Sequence, residues 1–118
     1  MAGVLTLQLD VVIPRIVEIG LLRQPKEACG LIVPDLKKPP REWVVELENK
    51  SPAPYESYAI DPRTADQLLE EDTIWSDVVV WHTHPSGNVG PSRGDLEARL
   101  EGLTYLVVAL PNGEPVVF

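Results

Sequence analysis

The sequence predicts a mixed α/β fold (α+β), with helices packed on a central mixed β-sheet. Three observations carry this. The runs Asp77–Trp81 and Tyr105–Leu110 are rich in β-branched and aromatic residues, the composition of buried strands. Apolar residues recur at helical spacing at Ile13, Ile16, Val17 and Leu21, and again at Leu96, Leu100 and Leu103. The two kinds of segment alternate along the chain with hairpin-like pairs between them, the order expected of a sheet covered by helices. A chain of 118 residues is long enough to bury one real core, and residues 1–118 are expected to form a single domain.

In order, Leu5, Leu7 and Leu9 alternate with Thr6 and Gln8, which predicts a short strand. A helix follows from Ile13, with Pro14 tolerated near its start, and ends near Arg23-Gln24-Pro25. Glu27 to Val33 reads as a strand stopped by Pro34, and Glu42 to Leu47 as the next. Asn49 to Pro54 is a loop, and Tyr55 to Ile60 a further expected strand. Asp61-Pro62 has the form of an N-cap followed by proline at the first helical position. The helix it opens carries Ala65, Leu68 and Leu69, and the acids Glu70, Glu71 and Asp72 read as its solvated end. The strand Val78–Val80 comes next, then a loop to Gly94 and a helix over Ser92 to Glu101 with Gly102 at its end. Tyr105–Leu110, the turn Pro111-Asn112-Gly113 and Val116-Val117-Phe118 close the chain as a hairpin.

The formal net charge of −8, from 18 acidic and 10 basic residues, leaves no basic stripe. Nucleic acid and anionic membrane surfaces are therefore poor partners. A single cysteine, Cys29, forbids an internal disulfide and fits a reducing compartment. No apolar run approaches a bilayer-spanning length, so a cytoplasmic location is expected. Prolines, 12 in all, exceed the usual ~5% and act mainly as punctuation between elements.

The chemistry concentrates in W-H-T-H-P-S-G-N-V-G-P-S-R-G-D, from Trp81 to Asp95. It holds both histidines, His82 and His84, which share one face of a strand end because side chains two apart do so. Two adjacent imidazoles with a carboxylate from a nearby element make a ligand set that zinc takes. Asp95, at the start of the following helix, is the natural third ligand. Ser92-Arg93-Gly94-Asp95 also has the form of a capping box, so Asp95 could simply satisfy backbone donors. A hydrolytic zinc site also needs a base, usually a carboxylate off the metal. Glu27 is the candidate, since it opens an apolar strand where a carboxylate is out of place; read by its neighbours alone it is an ordinary strand-edge glutamate. Cys29 is most simply a small buried residue.

Taken jointly, Pro25-Lys26-Glu27-Ala28-Cys29-Gly30-Leu31, His82-Thr83-His84-Pro85 and Pro91-Ser92-Arg93-Gly94-Asp95 resemble the signature of the JAMM metalloproteases, the JAB/MPN domains. The pattern is a glutamate, a long gap, H-x-H and an aspartate after ten residues, with a serine three before it. The resemblance implies a JAB/MPN-like fold with a cytidine-deaminase-like layout. It implies that His82, His84 and Asp95 bind Zn2+, that Glu27 moves the proton of a zinc-activated water, and that Ser92 hydrogen-bonds the oxyanion. The implied activity is hydrolysis of a peptide or isopeptide bond in a protein or peptide substrate. The chain looks like the compact bacterial and phage versions and is similar to the JAB domain of phage tail-assembly proteins, a resemblance that implies a phage or bacterial assembly partner. Two rivals follow: a zinc-stabilised scaffold that cleaves nothing, and a zinc deaminase. The deaminase needs a glutamate where His84 stands and a Cys-x-x-Cys pair beside a lone Cys29.

Overall fold

The computed structural model describes residues 2–35, 37–69 and 73–118, with side chains from Gln8 onward. It contains helices α1 (Ala2–Arg23), α2 (Pro62–Leu68) and α3 (Arg93–Ala98), and strands β1 (Cys29–Ile32), β2 (Val44–Leu47), β3 (Val79–His84), β4 (Thr104–Ala109) and β5 (Glu114–Val117). The strands form one sheet in the order β2-β1-β3-β4-β5. β1 runs antiparallel to β2 and β3, β3 and β4 are parallel, and β4 and β5 are antiparallel. The expected mixed sheet is therefore present, with β3 at its centre.

Alternation along the strands divides the core in two. On one face, Ile32, Val79, Trp81, Leu106 and Val108 pack against Val12, Ile16 and Ile19 of α1. On the other, Leu31, Val80 and Tyr105 pack against Ala65 of α2 and the loop residues Tyr58 and Ile60. Gly30 makes the first face possible. A Cβ there would lie 1.9 Å from the Val45 carbonyl oxygen and 2.9 Å from the Trp81 ring, so only glycine lets the buried indole lie over β1. The Trp81 Nε1–H in turn donates to the Leu31 carbonyl at 3.2 Å.

Several expectations need correction. The strand predicted around Leu5–Leu9 is part of α1. Leu9, Val12, Ile13, Ile16 and Val17 fall at i, i+3, i+4, i+7 and i+8, so one helical stripe begins before Ile13 and outcompetes the short alternation. Pro14 lies inside this helix on its exposed side, where the carbonyl it leaves without a donor faces water. The strand expected over Tyr55 to Ile60 is irregular. Its backbone groups bond instead to the Asn49 side chain and to the turn at Ala53, so no ladder is needed to satisfy them. The strand expected over Glu42 to Leu47 begins as a 3-10 turn, Pro40–Trp43, before β2. The last predicted helix is shorter than Ser92 to Glu101, because the Leu100 N–H bonds the Tyr105 hydroxyl at 3.0 Å and not a helical carbonyl. The expected helix end at Glu70, Glu71 and Asp72 lies outside the described residues. Among the described residues no helix is long and apolar enough to cross a membrane.

Candidate metal centre

The centre forms at the carboxyl end of β3, where the parallel pair β3/β4 opens toward α3. Because Trp81 and Thr83 face α1, strand alternation turns Val80, His82 and His84 to the opposite face. Cys29 stands beside His82 in register on β1, and Val107 and Ala109 stand beside His82 and His84 on β4. Both imidazoles are buried, at 0% and 6% exposure, which leaves them shielded from bulk water.

Asp95 arrives from α3. Its Oδ2 lies 3.0 Å from His82 Nε2 and 3.1 Å from His84 Nε2, and the two Nε2 atoms are 3.3 Å apart. Tetrahedral zinc with bonds of ~2.0–2.1 Å spaces its nitrogen and oxygen donors ~3.3 Å apart. The triangle of donor atoms matches that spacing closely. Proton positions support the fit. The His84 Nδ1–H donates to the Asn88 carbonyl at 3.1 Å, which in the neutral ring leaves a lone pair on Nε2. That lone pair faces a carboxylate oxygen, an arrangement that a cation between them satisfies.

The two sequence readings of Asp95 meet in one atom. Ser92 caps α3: its Oγ accepts the Asp95 N–H at 3.0 Å, and its own N–H donates back to Asp95 Oδ2 at 2.9 Å. The oxygen fixed by the cap is the oxygen that faces both histidines. Burial pushes the Asp95 carboxyl up, but the hydrogen bonds to His82 and Ser92 outweigh it and hold the group below the usual carboxylate range. Burial lowers the pKa of His82, favouring the neutral ring that metals bind.

Glu27 completes the group. Its carboxylate and the two histidines place ligand atoms within 4.8 Å of one another and could hold a metal ion. Glu27 makes no direct hydrogen bond to either ring, whereas Asp95 Oδ2 touches both, so the closest triad is His82, His84 and Asp95. Glu27 is 5% exposed. Burial, with Asp95 nearby, pushes its pKa up to about 7. Among the described residues, the buried side-chain polar atoms without a hydrogen-bond partner are Glu27 Oε1 and His82 Nδ1. Both belong to this cluster; the Glu27 oxygen lies among the candidate ligand atoms, whereas His82 Nδ1 is on the ring edge away from the Nε2 that faces Asp95.

Sequence reading missed the residues that hold these in place. Thr83, the middle of H-T-H, pairs with Ala28: Oγ1 accepts the Ala28 N–H at 3.0 Å, and the Thr83 N–H donates to the Ala28 carbonyl at 3.0 Å. This extends the β1–β3 pairing to the residue next to Glu27. Asn49 donates from Nδ2 to the carbonyls of Glu27 and Ser57, both at 3.0 Å, while Oδ1 accepts the N–H groups of Ser51 and Ala59. The loop so held stacks Tyr58 on His82, ring centroids 4.2 Å apart. An asparagine among loop residues gives no sequence signal of such reach; only Thr83, inside the motif, was within sight. Cys29 is buried and its thiol is pushed up to about 12, chiefly by burial, which makes it an inert core group.

A mixed five-stranded sheet with a histidine pair on its central strand, a capping aspartate and a buried glutamate beside them is the arrangement of a JAB/MPN-type domain. The family described as prokaryotic homologues of the JAB domain matches residues 10–117, and the chain belongs to it. Comparison with curated proteins returns no match.

Proposed function

We propose that this protein is a zinc-dependent metallopeptidase that hydrolyses a peptide or isopeptide bond, in a cytoplasmic setting. The observation that carries the reading is the convergence of His82 Nε2, His84 Nε2 and Asp95 Oδ2 within 3.0–3.3 Å beside a buried glutamate. His82, His84 and Asp95 would hold Zn2+, whose Lewis acidity acidifies water and polarises a carbonyl. Glu27 accepts a proton in this scheme and returns it to the leaving amine. A carboxylate titrating near 7 is matched to that task at neutral pH. The Ser92 oxygen is occupied by the Asp95 N–H, which leaves its hydroxyl proton free to donate to a developing oxyanion. Such a donor is typically worth ~2.7–4 kcal/mol of barrier.

The scaffold alternative keeps the metal and loses the chemistry. A closed structural site would take Glu27 as its fourth ligand; that Glu27 bonds to neither ring and keeps a buried oxygen unpartnered favours the proton-accepting role instead. The test is metal content of the purified protein by mass spectrometry, beside His82→Ala and Glu27→Ala, with hydrolysis of a peptide library scored in parallel. Zinc near one equivalent should be lost in His82→Ala and kept in Glu27→Ala, while cleavage disappears in both. Zinc-loaded protein that cleaves nothing would remove the peptidase reading; loss of zinc from Glu27→Ala would sink the role assigned to Glu27.

A further inference from the structure

Beside the metal centre lies an open groove of about 820 Å³. Beneath it lies the sheet face that carries the histidines, with Leu31, Val80 and Tyr105 buried at its base and Val80 only two residues, about 6–7 Å, from His82 along β3. Tyr58, Ile60, Ala98, Leu100 and Leu103 line it above that face. Ser92 and Asp95 line it as well, so the groove meets the centre at its Asp95 edge.

Its rim has one sign of charge. Glu56, Asp66 and Glu101 line it and are exposed, and among the described residues no lysine, arginine or histidine does. Asp66 accepts a hydrogen bond from Trp75 Nε1 at 3.2 Å; Glu56 and Glu101 have no ion-pair partner among the described residues. An apolar trough bordered by unneutralised carboxylates repels acidic chains and attracts chains that set large apolar side chains between cations.

We infer that this groove holds an extended peptide segment in which apolar side chains are flanked by lysine or arginine, and that it thereby sets the substrate class of the centre. The inference rests on the peptidase reading in one respect, that the segment held is the one delivered for cleavage. Apolar side chains lie against Tyr58, Ile60, Leu100 and Leu103, while flanking cations meet Glu56, Asp66 and Glu101. Leu100, 64% exposed, becomes a wall covered by the bound chain, which accounts for a large apolar residue left in water.

The half-buried Trp75 lines the groove, and its fluorescence reads binding without any cleavage. Three capped peptides with a common Phe-Leu centre, flanked by Lys and Arg, by Ser, or by Glu, are titrated into full-length Glu27→Gln protein so that none is consumed. The basic peptide should bind about five- to tenfold more tightly than the Ser peptide at low salt, and the Glu peptide least. The preference should fade in 0.5 M salt, where screening reaches only about 4 Å. E56Q/E101Q, changed at two exposed positions and leaving only Asp66 of the three, should weaken the preference and keep the Ser peptide's affinity. Ala98→Trp, also at an exposed position, should abolish binding of all three by filling the groove. Equal affinity for the three peptides, preference for the Glu peptide, or undiminished binding by Ala98→Trp overturns the inference. Cleavage by the wild-type protein is scored separately: binding with the predicted preference but no cleavage removes the peptidase reading and leaves the groove assignment, whereas cleavage indifferent to flanking charge does the reverse.

Discussion

Glu27 should make this protein less stable as the pH rises, and Glu27→Gln should isolate the effect. In the unfolded chain the carboxyl titrates near its ordinary 4.5; in the folded protein burial and the Asp95 charge push it up to about 7. Between those values the folded state binds the proton that the unfolded state has released. Stability therefore falls with rising pH by about 1.4 kcal/mol per pH unit. The full difference is about 3 kcal/mol, present as stability below pH 4.5 and lost once the pH passes 7. Glutamine does not titrate, so the stability of Glu27→Gln relative to wild type should climb by about 2–3 kcal/mol from pH 4.5 to pH 7.5 and then level off. The pH dependence is the informative quantity, because any fixed cost of the amide cancels from it. Urea denaturation of chelator-treated protein at half-unit pH steps reads it directly. Parallel stability curves for the two proteins would refute the claim that Glu27 is a desolvated carboxylate.

Three further substitutions test the supports of the centre. Thr83→Val keeps the shape and removes the acceptor for the Ala28 N–H; a buried donor left unpaired should cost about 1–3 kcal/mol in urea denaturation. Asn49→Asp keeps the acceptor for Ser51 and Ala59 but sets a carboxylate oxygen against the Glu27 and Ser57 carbonyls. It should cost at least about 1–3 kcal/mol and speed amide exchange in the loop that carries Tyr58; unchanged exchange there would sink the clamp. Gly30→Ala forces a methyl to 1.9 Å from the Val45 oxygen and should destabilise by about 3 kcal/mol or more, or yield no folded protein. Near-wild-type stability of that variant would contradict the packing of Trp81 over β1.

What the sequence made legible follows the range of each interaction. The buried strands at Val79–His84 and Thr104–Ala109 announced themselves through composition, and the histidines through their spacing, because both signals lie within a few residues. The histidine pair is readable from its spacing and Asp95 is a candidate with a capping alternative; Glu27 stands out as a carboxylate opening an apolar strand, and the family resemblance ties the four together. The errors arose where a local pattern had two outcomes. Leu5, Leu7 and Leu9 satisfy a period of two, yet Leu9 also fits the stripe that continues through Ile16, and packing against the sheet decides for the helix. A strand is expected over Tyr55 to Ile60, but its backbone partners come from Asn49, several residues away. Leu96 and Leu100 predicted a core-facing helix; they are exposed at 47% and 64%, and Leu100 lines the groove. Hydrophobic spacing reports a face, and it is silent on whether that face meets a core or a groove.

The alternation along β3 has one more consequence. Trp81 and Thr83 point one way, His82 and His84 the other, so the strand carries two messages interleaved letter by letter. Sliding it by a single residue against either neighbour would drive the indole into the polar pocket and the imidazoles into the packing against α1. Both errors are costly at once, so the greasy half of the strand proofreads the reactive half. Insertions should therefore be tolerated in the Ser86–Gly90 loop far better than anywhere between Val79 and His84.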